Sequence, residues 1–211
     1  GVKVRSGNAL SLQNQLETEF DIQLPYTVVS DGKAVNVDIQ QSEIPAIYSY
    51  FVTPKMDKDA FLMASITGWE KLNLLSGKMN VYFENSYVGE SYFNSAETED
   101  TIKLSLGRDK RIVVKREPVK EMTSTKFIGG NLVKQYLYEI SIKNTKKDNV
   151  QLTIEDQLPI SQDNDIKVSA DELSNGKLNT ETGKVVWKAD LKPGDTQKIR
   201  FGFTVKYPKG K

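Results

Sequence analysis

The chain contains neither cysteine nor histidine. Without cysteine there is no disulfide, no thiolate zinc site and no thiol nucleophile. Without histidine, the commonest general base near neutral pH and the commonest metal ligand are both missing. Ser-His-Asp, Cys-His and His-zinc chemistries are therefore excluded by inventory. An enzyme made of these residues would have to use a carboxylate pair, a Ser-Lys dyad or a tyrosine. Excess charge is missing too. Lys and Arg number 29 against 28 Asp and Glu, a net charge of +1. That balance points to neither nucleic acid nor an anionic membrane as partner. No run of about 18 apolar residues occurs, so no segment reads as a membrane-spanning helix. No signal peptide is recognisable, and the opening GVKVRSGNALSLQNQLETEF reads as the start of a piece of a longer protein.

What the sequence does contain is alternation. At 211 residues a chain can bury roughly 70% of its unfolded surface, so it needs no metal or disulfide to fold. Tyr136, Tyr138, Ile140 and Ile142 alternate with polar neighbours in KQYLYEISIK, broken only by Leu137. Ile199, Phe201, Phe203, Val205 and Tyr207 do the same in QKIRFGFTVKY. Shorter stripes are Val35–Ile39, Met79–Phe83, Ile102–Leu106 and Val185–Leu191. A period of two marks half-buried strands and fixes their register. Asp31-Gly32, Asn175-Gly176, Pro193-Gly194 and Gly129-Gly130 supply turns between them. Helix signals are weak: Pro54–Ala60 suits one turn, and residues 8–19 suit a frayed helix or a linker. The expected fold is all-β, two packed antiparallel β-sandwich domains, the C-terminal one immunoglobulin-like. A break near Gly107–Lys110 sets the expected domains. They are a linker or leader over 1–19, an N-terminal sandwich over 20–107 and a C-terminal sandwich over 108–211.

The acidic stretch EDQLPISQDNDIKV, residues 155–168, offers a possible metal site. Asp156, Asp163 and Asp165 would place hard oxygens around a cation such as Ca²⁺. The EF-hand spacing fails, with no Gly at position six and no Glu at position twelve. The favoured reading is a corner between strands, with Pro159 ending one ladder. Ser161, Asp163 and Asn164 then cap loose backbone N–H groups. A carboxylate-pair enzyme would need two acids about 5–10 Å apart. Glu43, Glu70, Glu155 and Asp156 are available, but nothing in the sequence brings them together. Trp187 shares a stripe with Val185 and Ala189 and is assigned to the core. Trp69 follows Gly68 on an expected loop, and is a candidate for stacking a sugar or a partner. Tyr48 and Tyr50, with Tyr82, Tyr87 and Tyr92, form a candidate aromatic strip, read against plain cross-strand pairing. The basic cluster Lys110-Arg111 and Lys115-Arg116 reads as a solvated strand.

Several phrases together resemble a known family. They are LPYTVVSDGKAVNVDI, YSYFVTPKMDKDAFLMASIT, GKMNVYFENSYVGESYF, LSLGRDKRIVVKRE, the stretch from Tyr138 to Val168, and WKADLKPGDTQKIRFGFTVKYPK. In this order, over about residues 20–209, they are similar to the C-terminal region of the bacterial mucoidy-inhibitor-like proteins. That region carries the label "domain of unknown function". The resemblance implies an all-β region that follows an N-terminal β domain and often a coiled coil. It implies an extracytoplasmic location, in the periplasm, at the outer membrane or secreted. It implies no established catalysis, so no catalytic residue is carried over and no cofactor is expected. The resulting expectation is a non-catalytic structural or protein-interaction module. Its partner would be an unidentified protein or its own missing N-terminal region, engaged through an exposed face or an edge strand. The alternative is a carbohydrate-binding module whose exposed aromatics stack a glycan.

Overall fold

A computed structural model describes residues 2–5, 9–14, 17–22, 27, 30–32, 39, 41–96, 98 and 100–208. The described chain is all-β. Its strands are β1 (Val2–Arg5), β2 (Ala9–Asn14), β3 (Glu17–Ile22), β4 (Gln41–Ile44), β5 (Ala46–Val52), β6 (Asp59–Thr67), β7 (Gly77–Phe83) and β8 (Ser86–Phe93). They continue as β9 (Thr101–Pro118), β10 (Ser124–Ile128), β11 (Asn131–Asn144), β12 (Val150–Gln157), β13 (Lys167–Glu172), β14 (Lys177–Leu178), β15 (Lys184–Leu191) and β16 (Thr196–Pro208). Among the described residues, helix is limited to the short 3-10 turns Trp69–Leu72 and Lys120–Met122. Residues 2–5, 9–14 and 17–19 are in strands, where a linker or frayed helix was expected. Leu10 and Leu12 alternate with Ser11 and Gln13 there, a short period-two signal outweighed by the polar surroundings. The expected strand at Val35–Ile39 falls almost wholly outside the described residues.

The chain divides into two compact units, one of Gly1–Tyr48 with Ala64–Leu104, the other of Ser49–Met63 with Ser105–Lys211. Residues 49–63, placed by the sequence reading in the first domain, thus belong to the second unit. The expected break at Gly107–Lys110 lies close to the division between Leu104 and Ser105, and strand β9 runs continuously through both. Gly107 takes φ +100 there, a conformation that mimics a turn signal in sequence but only distorts the strand.

Among its described residues the first unit contains three two-stranded antiparallel pairings: β1 with β4, β2 with β3, β7 with β8. The β7–β8 connection is a two-residue hairpin, Phe83 opposite Ser86, with Glu84 and Asn85 both at positive φ. Val81 and Phe93 are buried on one side of this hairpin.

The second unit is built on one large sheet in the order β13-β16-β11-β9-β6-β5-β12-β15-β14, with β10 added on β11. Gly129 and Gly130, both at positive φ, close the β10–β11 hairpin with Ile128 opposite Asn131. One pairing departs from the expected all-antiparallel pattern. β12 runs parallel to β5, Leu152 opposite Tyr50 and Ile154 opposite Val52. A parallel pair needs a long crossover, and the chain between residues 52 and 150 supplies it. The sheet folds over on itself, because Trp187 of β15 meets Phe201 of β16 edge-to-face at 5.8 Å although the two strands stand near opposite ends of the order. The alternating stripes of β11, β12, β15 and β16 close on each other around Phe201, Ile140, Ile154 and Val185, all fully buried. Trp187 is buried as the sequence reading has it, and its indole N–H donates to the Leu173 carbonyl at 2.6 Å.

Candidate functional site

The second unit carries a groove of about 510 Å³ whose origin can be followed strand by strand. On β12, Val150, Leu152 and Ile154 are buried at every second position, and Asp156 falls in phase with them. On β9, Ile112 and Val114 are buried and Arg116 is next in phase. Alternation therefore carries one acid and one base to the ends of two apolar stripes. They meet there: Arg116 Nε donates to Asp156 Oδ2 at 2.6 Å. The Asp156 side chain is fully shielded from solvent, and its Oδ1 also accepts the Gln157 backbone N–H at 2.7 Å. A buried carboxylate needs such partners, since an unpaired charge there is costly. The Arg116 guanidinium also lies 3.7 Å over the centre of the Tyr138 ring. Tyr136 and Phe203 stack at 5.0 Å, and Tyr138 stacks on Phe203 at 6.4 Å, which makes an aromatic floor.

The acidic corner forms the opposite wall, through Pro159, Ile160, Ser161 and Ile166. Within it Ser161 Oγ accepts the Asp163 N–H at 3.1 Å and Asp163 Oδ1 accepts the Asp165 N–H at 2.9 Å. The three acids singled out for metal binding do not act together. Asp156 is buried and committed to Arg116, while Asp163 and Asp165 stand on the exposed corner. Among the described residues no group of three acidic side chains is arranged to hold a metal. The carboxylates considered for catalysis are likewise dispersed. Glu155 pairs with Lys184 at 3.1 Å and Asp156 with Arg116, while Glu43 and Glu70 belong to the first unit.

A second cluster of the second unit gathers Tyr50, Asp109, Arg111 and Lys146. Arg111 donates to both Asp109 oxygens at 2.8 Å, a bidentate pair. Tyr50 and Lys146 each donate to Asp109 Oδ2 at 3.0 Å, and Lys146 also donates to the Tyr50 hydroxyl. The Arg111 guanidinium, aided by Lys146 and Tyr50, holds the Asp109 carboxyl well below the usual carboxylate range against the opposing effect of burial. Burial pushes the Tyr50 hydroxyl up, opposed by the Lys146 hydrogen bond. For Lys146 burial works downward, but its bonds to Tyr50 and Asp109 prevail and raise it. These bonds tie β5, β9 and the 145–149 turn together. Tyr50 is thus a buried structural side chain, not half of an exposed strip.

The remaining aromatic candidates lie in the first unit. Trp69 is buried and packs edge-to-face on Phe93 at 5.1 Å, so it is not the exposed platform the sequence suggested. The 3-10 turn that follows Gly68 folds the indole inward. Tyr48 is partly exposed. Tyr82, Tyr87 and Tyr92 are 65%, 57% and 67% exposed and share the outer face of the β7–β8 hairpin. Tyr82 and Tyr87 meet edge-to-face at 5.4 Å, and Lys78 pairs with Glu90 at 3.1 Å on the same face.

Sequence reasoning overlooked the groove. A signal was present: Arg116 and Asp156 each sit in phase with an apolar stripe, on two different strands. Opposite charges at core-facing positions mark a buried ion pair.

An all-β module with a mixed aromatic and cationic groove is the class these features define. The chain belongs to the family described as a domain of unknown function (DUF4139), whose profile matches residues 4–209. One curated relative is "Protein F37C4.5" of Caenorhabditis elegans, 23% identical over 208 residues, an overlap of 92% of this chain and 37% of that protein. The chain thus spans just over a third of the length of the relative it matches.

Proposed function

We propose that this chain is a non-catalytic protein-interaction module, part of an envelope or secreted protein of the mucoidy-inhibitor-like type, and that its second unit is an immunoglobulin-like sandwich. The observation that carries the interaction reading is the outer face of the β7–β8 hairpin. Three tyrosines more than half exposed on two strands of seven and eight residues are unusual for a surface facing only water. Tyrosine offers a large rigid contact area with a polar tip, and is enriched where proteins meet. The Lys78–Glu90 pair beside it supplies the polar rim such a face needs. The catalytic alternatives have less support, because the acids considered for them are paired with Arg116 and Lys184 or dispersed.

The test is capture from the native envelope with the full-length protein as bait, run beside the 211-residue chain and beside Tyr82→Ser/Tyr87→Ser/Tyr92→Ser. A defined protein retained by the first two baits and lost from the third is the expected result. Equal retention by the triple variant would remove the reading. The same exposed face also supports the carbohydrate alternative, with tyrosines in place of Trp69 as stacking surfaces. That reading requires glycan-array binding that the triple variant loses.

A further inference from the structure

The groove of the second unit has no part in the interaction reading and points to a ligand of its own. Strand order lays its floor out as a row: Arg116 on β9, Tyr136 and Tyr138 on β11, Phe203 and Val205 on β16, Val168 on β13. With neighbouring strands about 4.8 Å apart, the row is roughly 14 Å wide across the strands, and the register carries it diagonally, from Arg116 opposite Ile140 to Val205 and Val168 level with Lys134. Its character changes along that diagonal. At the β9 end, Arg116 gives its Nε to Asp156, and its Nη1 has no acceptor among the described residues. Lys55 stands at the same end, reaching the Gln157 carbonyl only at 3.5 Å, too long for a strong bond. Arg116 and Asp156 cancel in charge, so Lys55 leaves the end positive. Toward β13 the lining is Phe203, Val205 and Val168, faced by Ile160 and Ile166 of the corner, with Ile160 58% exposed.

A glycan would lay most of its hydroxyls against that apolar end without partners, which disfavours it. A molecule with one anionic head and an apolar body satisfies both ends. We propose that this groove binds a small amphiphilic carboxylate, its head at Arg116 Nη1 and Lys55 and its body over Tyr136, Phe203 and Val168. The volume suits such a ligand, since small-molecule sites run to about 300–1,000 Å³. Arg116 serves here because Asp156 and the Tyr138 ring fix its guanidinium before any ligand arrives.

The experiment is titration of the 211-residue protein with octanoate below micelle formation, by calorimetry and ligand-observed NMR, beside octylamine and octan-1-ol of the same chain length. 3-Phenylpropionate runs in parallel to distinguish an aromatic from an aliphatic body. The expected result is saturable one-site binding of at least one carboxylate, with the alcohol and the amine about tenfold weaker or worse. Lys55→Gln, on the surface, weakens carboxylate binding about fivefold and leaves the alcohol unchanged. Ile160→Ser weakens both. Circular dichroism confirms that each variant is folded. The proposal is overturned if neither carboxylate saturates, if octylamine binds as tightly, or if Lys55→Gln leaves the carboxylate unaffected.

Discussion

The two units place similar alternating sequences in different surroundings. In the second, long strands have neighbours on both sides and their apolar stripes meet in one cluster around Phe201, Ile140 and Ile154. In the first, β1–β4, β2–β3 and β7–β8 pair two by two, and the β7–β8 hairpin buries Val81 and Phe93 while its other face stays open. A two-stranded ribbon is marginal alone and has only one face to commit to a core. Alternation therefore yields a sealed interior where strands accumulate, and a presented surface where they do not. Charge follows the same division. The second unit encloses Asp156 and Asp109 with partners, whereas Lys78 and Glu90 of the first pair in solvent.

The sharpest way to break this comparison is to cut one hole in the core of each unit. Phe201 is fully buried among Trp187, Tyr138 and Phe203. Phe201→Ala is expected to cost about 4 kcal/mol through lost transfer energy and an unfilled cavity. Val81→Ala in the first unit removes less apolar surface and is expected to cost roughly 1–2 kcal/mol. Urea midpoints of the two variants measure the difference. Equal losses would mean that the first unit is as tightly packed as the second.

Much of this contrast was legible in the residues. The stripes Ile140–Ile142, Val185–Leu191 and Ile199–Phe203 are buried strands, as their period demanded. Gly129-Gly130 makes the hairpin its composition announces. Glu84-Asn85 makes one too, unannounced, because neither residue is the glycine that positive φ favours. Gly107-Arg108-Asp109 lies close to the division at Leu104 and Ser105 but is not the turn its composition suggests. It has turn residues, yet Arg108 anchors to Asp57 and Asp59 and Asp109 binds Arg111, Lys146 and Tyr50 within an unbroken strand. Side-chain bonds to distant strands cannot be seen from local composition. The groove was hidden for the same reason, since its floor comes from four strands that neighbour each other in an order unlike that of the chain.

A smaller effect tests the enclosed charge. The Asp109 carboxyl is depressed, first by Arg111. A carboxyl with a lowered folded pKa contributes stability that is present above its unfolded value, near 3.9. That stability is lost as pH falls through the folded value, so the loss starts below about pH 5 and continues to strong acid. Asp109→Asn is expected to cost about 2 kcal/mol at pH 7, the scale of a charge-assisted bond removed. The deficit should shrink as the wild type loses its own advantage in acid. Urea midpoints of both proteins at pH 7 and pH 3 check this. A deficit that stays constant between those values would show that the Asp109 charge contributes nothing beyond its shape.

The smallest effect falls on the open face of the first unit. Tyr82 and Tyr87 touch edge-to-face, an arrangement worth about 0.5–1.5 kcal/mol beyond area where it is buried. Both rings here are more than half exposed, so most of their surface keeps its water in the folded state. Tyr82→Ser should therefore move stability by no more than about 0.5 kcal/mol, the range of ordinary surface substitutions. A double-mutant cycle with Tyr87→Ser should return a coupling of similar or smaller size. The measurement is again the urea midpoint, with circular dichroism to confirm the strands. A loss of 2 kcal/mol or more, on the order of a core truncation, would mean that this face packs against part of the protein itself. The tyrosines would then be interior residues, and the contrast between an enclosed unit and a presenting one would fail at the place where the interaction reading needs it.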